Sequence, residues 1–284
     1  MASPSRLLSP SSILVHRIHL PTVDSTNSWA KRNAGALDPL QLTAITAGRQ
    51  TAGRGRGARV WVSSGDDIAL TLAFFLPPAS VASAYLLSPL LCVAARRALA
   101  ARGVAGAAIK WPNDLVMGGA RKVGGILAEM EGPLAAPAGH FMVALGIGLN
   151  VNSTPEALGV ARPAWPLTTL RAEGGGAPLD VPALTDAVVA ACAGALPLFL
   201  AAGFAPFKAE YDAANVLAGR RVRFAAGGGE GDVEGRVVGV GDDGRLLVED
   251  GAGGVRGFLG GEVTGVTLVE GGGEVGAPPD AALP

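Results

Sequence analysis

From Ile13 to Leu20 apolar and polar side chains alternate, the two-residue period of a half-buried strand, and Pro21 follows. Ser25 or Thr26 is placed to cap a short helix that Gly35 would end, and Leu42 to Ala47 reads as a second strand. A Gly/Arg-rich loop comes next, then a β-rich run from Ile68 to Leu76 that stops at Pro77-Pro78. Tyr85 to Ala101 has helical character and closes at Gly103; Ser88-Pro89 either starts this helix or kinks it. Ala107 to Trp111 and Gly125 to Met130 are predicted strands separated by a polar turn. Phe141 to Val151 is another, with Gly146 and Gly148 inside it. An Ala-rich helical region runs from Pro182 to about Tyr211.

The texture changes at Val216. Short β-runs (Arg221 to Phe224, Gly235 to Val240, Leu246 to Glu249) alternate with Gly/Asp turns, and Asp243-Gly244 is a hairpin signal. The pattern predicts a separate small β-barrel or sandwich of about fifty residues. The chain therefore divides into 13–215, 216–270 and a Gly/Pro/Ala-rich tail, 271–284, expected to be disordered. Ala187 to Phe207 is about long enough to cross a bilayer. It is interrupted by Gly194, Pro197 and Gly203 and has no basic flank before it, so a buried helix with a break is expected. Met1 to Ser12 is Ser/Pro-rich and lacks acidic residues, faintly like a transit peptide, but a strand starting at Ile13 leaves little room for one. The expectation is a cytoplasmic protein with no membrane partner.

Composition narrows the function classes. Apolar residues make up 49% of 284, enough for a sizeable core, and the net charge of -1 argues against a globally basic nucleic-acid binder. Any phosphate site must be a local cluster. Cys92 and Cys192 lie in Ala/Leu-rich surroundings and read as buried small hydrophobes. His16, His19 and His140 show no metal-ligand spacing, so no metal cage is expected.

Five clusters carry candidate chemistry. In Gln50-Thr51-Ala52-Gly53-Arg54-Gly55-Arg56-Gly57-Ala58-Arg59-Val60-Trp61, glycines interleave with arginines. Such a loop brings N–H groups and guanidinium forks to an anion such as a triphosphate or adenylate. It lacks the Gly-Lys-Ser/Thr of a P-loop. A solvated loop or an RNA-binding segment fits the same residues equally well. Lys110-Trp111-Pro112-Asn113-Asp114 ends a strand in a turn that presents an amide and a carboxylate; Asp114 beside phosphates is a candidate Mg2+ ligand, or part of an ordinary polar turn. Lys122 precedes the paired glycines Gly124-Gly125, a mark of close approach by a ligand or by another backbone. Gly146-Ile147-Gly148-Leu149-Asn150 fits either a bulge or a ligand contact, and Asp24-Ser25-Thr26-Asn27 either a helix cap or a polar head-group site.

In order and spacing these clusters together resemble the biotin protein ligase family, over about Val15 to Tyr211, and the terminal β-module resembles that family's SH3-like domain. The resemblance implies an α+β fold, a mixed β-sheet flanked by helices as in class II aminoacyl-tRNA synthetases, with a small C-terminal SH3-like β-barrel. It implies a ligase that makes biotinyl-5'-AMP from biotin and ATP, with Mg2+, and biotinylates a lysine of the biotin carboxyl carrier protein of acetyl-CoA carboxylase. By position, Ser25, Thr26, Asn27, Gln50, Arg54, Gly55, Arg56 and Lys122 would bind biotin. Arg54, Arg56, Trp61, Asn113 and Asn150 would bind ATP. Lys122, Arg56 and Asp114 would be catalytic, with Asp114 on the metal or the acceptor lysine. After Arg56 the family pattern has one residue and then Gly; here Gly57 precedes Ala58, so a positive φ at 58 would strain an alanine. Too few residues precede Ile13 for a helix-turn-helix, as in the non-repressor members, so no DNA partner is expected; a homodimer stays open. The alternatives are a lipoate or octanoate ligase on the same fold, and an RNA-binding Arg/Gly-loop protein.

Overall fold

Seven strands form one sheet: β1 (Val15–Val23), β2 (Leu42–Gln50), β3 (Ile68–Leu76), β4 (Ala108–Lys110), β5 (Asp114–Met117), β6 (Arg121–Glu131) and β7 (Phe141–Leu149). The structure is a computed structural model that describes residues 13–267 apart from 58, 63–64, 120, 136–138, 155, 159–164 and 226–231. The expected tail, 271–284, lies outside the described residues. Strand order is β1-β2-β3-β7-β6-β5-β4. β1 and β2 run parallel because the helix α1 (Thr26–Arg32) crosses between them, and every other neighbouring pair is antiparallel. The expected mixed sheet is therefore present.

Two strands depart from expectation. β1 continues through Pro21 to Val23, with Leu20 opposite Ala47 and Thr22 opposite Arg49. It is an edge strand, where a missing N–H is tolerated. β5 was expected to be part of a turn. Instead Gly118 and Gly119, both at positive φ, reverse the chain between β5 and β6. Lys122 consequently lies inside β6, one residue from its start, rather than ahead of a strand.

The helices pack on the sheet by alternation. Ile68, Leu70, Leu72, Phe74 and Leu76 of β3 share a core with the helices α2 (Leu87–Ala101), α4 (Val181–Ala202) and α5 (Ala205–Ala214). Ala73 and Phe75 point the other way, into a smaller cluster with Ala30, Ala34, Met142 and Ala144. A 3-10 segment, Pro78–Leu86, leads into α2, so the helix begins at Leu87 rather than Tyr85. Of the three expected interruptions in the Ala-rich region only Gly203 (φ +66°) breaks the helix. α4 runs on through Gly194 and Pro197 because Leu184, Val188, Val189, Cys192, Leu196 and Phe199 are buried on both sides of them, and packing overrides propensity. Pro78–Ala101 and Val181–Ala202 are each long and apolar enough to cross a membrane by length and composition; here both contribute buried residues to the core. A one-turn helix, α3 (Leu170–Glu173), was not anticipated.

The second sheet comprises β8 (Arg221–Ala225), β9 (Asp232–Val240), β10 (Leu246–Glu249), β11 (Val255–Phe258) and β12 (Glu262–Thr267), in the antiparallel order β11-β10-β9-β8-β12. Val222, Val237, Val240, Leu246 and Val248 are buried in the same cluster as the helix-side core of the large sheet. Polar contacts lock the docking. The Trp111 indole N–H donates to the Gly244 carbonyl (3.0 Å), the Tyr85 hydroxyl to the Asp243 carbonyl (2.8 Å), and the Val240 N–H to Asp212 Oδ1 (3.0 Å).

Candidate active site

The face of the large sheet turned away from α2 and α4 opens into a cleft of about 660 Å3. All twelve residues singled out in the sequence line it: Ser25, Thr26, Asn27, Gln50, Arg54, Gly55, Arg56, Trp61, Asn113, Asp114, Lys122 and Asn150. The alternation of β7 explains the Gly-x-Gly motif. Val143, Leu145, Ile147 and Leu149 belong to the helix-side core, which turns Gly146 and Gly148 toward the cleft. A Cβ on Gly146 would overlap the Asn27 amide, and one on Gly148 would overlap the Trp61 indole. These glycines let two cleft side chains lie flat on the strand.

One end of the cleft is polar and neutral. Ser25 caps α1, accepting from the Ser28 N–H (3.5 Å), so the helix-cap reading of this motif holds, and Thr26 and Asn27 occupy the first turn on the cleft wall. Gln50 Oε1 accepts from the Thr26 N–H (2.9 Å) and is 3.2 Å from Thr26 Oγ1. The Thr71 hydroxyl of β3 lies 2.8 Å from Thr26 Oγ1 and 2.6 Å from Asn27 Oδ1. The two hydroxyl protons can make only two of these three hydroxyl contacts at once. Asn27 Nδ2 reaches the carbonyls of Leu127 (3.1 Å) and Ala144 (3.3 Å) and Glu129 Oε2 (3.0 Å). A buried amide fixed from both ends presents one orientation to a ligand.

The other end is cationic and aromatic. Asp114 Oδ1 pairs with Lys122 Nζ at 2.7 Å, and Oδ2 lies 3.9 Å from Lys110 Nζ. Lys110 Nζ in turn sits 4.7 Å from the centre of the Trp165 ring, and Lys122 Nζ 6.0 Å from that of Trp61. Both Asp114 oxygens thus face ammonium groups. Among the described residues there is also no group of three His, Cys, Asp or Glu side chains placed to hold a metal. A Mg2+ at Asp114 would therefore take most of its ligands from a nucleotide's phosphates and water rather than from the protein. Asn150 is buried, and its Nδ2 donates to the Thr168 carbonyl (3.1 Å), so this amide shapes the cleft wall through the 168–170 segment.

The Gly/Arg loop is a small hairpin over the cleft. Arg54 bridges Val60, the Gly55 N–H donates to the Arg59 carbonyl (2.8 Å), and the Trp61 N–H to the Gly53 carbonyl (2.9 Å). Gly57 supplies the positive φ (+64°) at the turn; Ala58 lies outside the described residues. Arg56 Nη1 donates to Asn113 Oδ1 (3.0 Å), while Asn113 Nδ2 donates to the Ile126 carbonyl (2.7 Å), so the loop tip reaches the Lys110–Asp114 turn. Arg54 pairs with Glu129. Glu129, Trp165 and the cleft-lining Gly261 and Val263 of the second sheet went unnoticed in the sequence because each is an isolated residue without a motif. Lys110 stood inside a motif, but no role was assigned to it.

Comparison with known proteins gives this geometry a lineage. A model of the biotin/lipoate A/B protein ligase family matches residues 20–150, the stretch from which most of the cleft lining comes. A biotin–[acetyl-CoA-carboxylase] ligase of Paracoccus denitrificans is 34% identical over 236 residues, covering 82% of this chain and 94% of that one. The bifunctional ligase/repressor BirA of Escherichia coli is 29% identical over 86% of this chain and 72% of its own length. Among solved structures, the biotin protein ligase of Aquifex aeolicus in complex with biotin and ATP aligns with a TM-score of 0.72 at 28% identity, covering 89% of this chain and 99% of that one. The chain belongs to the biotin protein ligase family.

Proposed function

We propose that the protein condenses biotin with ATP to give biotinyl-5'-AMP and pyrophosphate, then passes the biotinyl group to one lysine of a biotin carboxyl carrier protein of acetyl-CoA carboxylase. The observation that carries this reading is convergence: five motifs spread from Ser25 to Asn150 meet in one cleft that is neutral and polar at one end and cationic at the other. The neutral end suits the fused-ring head of biotin, since Ser25, Thr26, Asn27 and Gln50 offer donors and acceptors together. The cationic end suits the nucleotide. Arg56 and Lys122 lie where a carboxylate must approach a phosphate, and Trp61, Asn113 and Asn150 line the nucleotide side, joined by Trp165.

The chemistry follows from charge. A carboxylate attacking a polyphosphate meets like-charge repulsion, and Arg56 and Lys122 would stabilise the charge that develops at the α-phosphorus. The biotin carboxylate oxygen bonds to that phosphorus and pyrophosphate leaves. The divalent cation of the sequence reading is assigned to the nucleotide's own phosphates, and no step is routed through it. In the second step a neutral acceptor amine attacks the acyl carbon and AMP leaves with the bridging oxygen. Free lysine titrates near about 10.4, so Asp114, beside Lys122, is the group we assign to orient or deprotonate that amine. The loop over the cleft would keep water from the mixed anhydride between the steps.

Incubation with ATP, Mg2+, biotin and a biotin carboxyl carrier domain should add one biotinyl mass to one lysine; no acyl-adenylate with these substrates would end the reading. Arg56→Ala should release biotinyl-AMP, seen as promiscuous labelling of amines in solution. Because the matching family model also spans lipoate ligases, calorimetric titration with biotin and with lipoate decides between the two vitamins. Residues 13–215 are the unit we assign to catalysis, and 216–270 to an SH3-like module. Both cysteines are free and buried, which suits the reducing cytoplasm where we place the protein.

A further inference from the structure

Glu129 belongs to none of the five motifs, yet its carboxylate gathers three donors from two separate elements. Strand alternation puts it on the cleft face of β6, two residues beyond Leu127. Oε2 accepts from Asn27 Nδ2 (3.0 Å) and from Arg54, and Oε1 from Lys31 Nζ (3.3 Å). Asn27 and Lys31 ride on α1, whereas Arg54 stands at the base of the Gly/Arg hairpin. The Glu129 side chain is only 17% exposed, while that of Arg54 is 41% exposed. A glycine-rich hairpin is therefore pinned at its base to a largely buried anion. Burial pushes the Glu129 carboxyl up, but the hydrogen bonds from Arg54 and Asn27 outweigh this and hold it below the usual range.

Two consequences follow from this geometry. The Asn27 amide cannot flip, because its nitrogen faces a carboxylate and its oxygen the Thr71 hydroxyl. The hairpin, in turn, begins its path over the cleft from one fixed point, which reduces the ordering that a ligand must otherwise impose. We propose that Glu129 is a positioning residue of the ligation reaction: by holding Arg54 and Asn27 in one arrangement it sets biotin affinity and the retention of biotinyl-AMP. This rests on the function proposed above.

The test is Glu129→Gln, which keeps the shape and loses the charge. Biotin-dependent pyrophosphate exchange should show KM for biotin raised about tenfold, the size of one lost charge-assisted hydrogen bond, a larger change than in KM for ATP. The lifetime of bound biotinyl-AMP without acceptor should fall by a similar factor. Combined with Arg54→Gln, the double variant should lose less than the product of the two single losses, since the Arg54–Glu129 contact is removed only once. Additive losses, or unchanged biotin KM and intermediate lifetime, would overturn the proposal. If Glu129→Gln fails to fold, Glu129→Asp replaces it: this keeps the charge but withdraws it by one methylene, and wild-type behaviour there would equally overturn the proposal. A wild-type protein that makes no biotinyl-AMP at all would instead sink the proposed function, so the two failures are distinct.

Discussion

The two faces of the seven-stranded sheet are built from the same strands by opposite rules. On the helix side, β3 and β7 present Ile68, Leu70, Leu72, Phe74, Leu76, Val143, Leu145, Ile147 and Leu149, all fully or almost fully buried and interchangeable in chemistry though not in shape. On the cleft side the intervening positions include Thr71, Gly146 and Gly148, where one hydroxyl and two missing side chains hold Asn27 and Trp61 in place. The first face stabilises and the second face arranges. A change on one should therefore appear in unfolding and on the other in kinetics.

The sharpest way to break that division is Gly146→Ala. Its methyl would overlap the Asn27 amide, so adenylation, measured by pyrophosphate exchange, should fall about a hundredfold, the scale of a displaced binding group. The fold should survive. Lys122→Ala removes the ammonium 2.7 Å from Asp114 and should also cost about 10²-fold in exchange, with unfolding temperature little altered; full activity would remove Lys122 from the site. On the opposite face Leu145→Ala should lower stability by ~2–5 kcal/mol in denaturant titration, while exchange activity well below the unfolding temperature stays near wild type. Loss of activity there without loss of stability would show the faces to be coupled. The smallest effect belongs to the exposed Asp24–Arg32 pair (2.7 Å), remote from this contrast in kind. Hydrogen bonding from Arg32 lowers the Asp24 carboxyl to about 2 from 3.8. Its folded value lies below the unfolded one, so its contribution is complete above pH 3.8 and fades as the pH falls toward 2. Arg32→Ala should shift only the acid limb of the stability curve.

The same contrast explains what could be read before the structure. β3 was placed to the residue because nine apolar or neutral positions stand between Asp67 and Pro77. The cleft-lining residues were legible because they sit in compact motifs at strand ends and turns. β5 was missed because four residues beside Pro112-Asn113 look like an extended turn, although Gly118-Gly119 is itself a hairpin signal. α4 running through Pro197 was misjudged because local propensity is visible in a sequence and burial against α2 is not. Glu129 and Trp165 were invisible for a related reason. A single carboxylate or indole acquires meaning only from the partners that the fold brings to it.

The Trp111 indole N–H, held by the Gly244 carbonyl, has an optical consequence. Of the four tryptophans, Trp111 is sealed at 1% exposure with its N–H engaged, whereas Trp61 and Trp165 are half-buried on the cleft wall. The protein thus carries its own fluorescent gauge. Filling the cleft should alter the red-edge emission and iodide quenching of the two wall indoles. The short-wavelength light from Trp111, which lines the back of the same cleft, should change most when the two sheets come apart and its N–H is released.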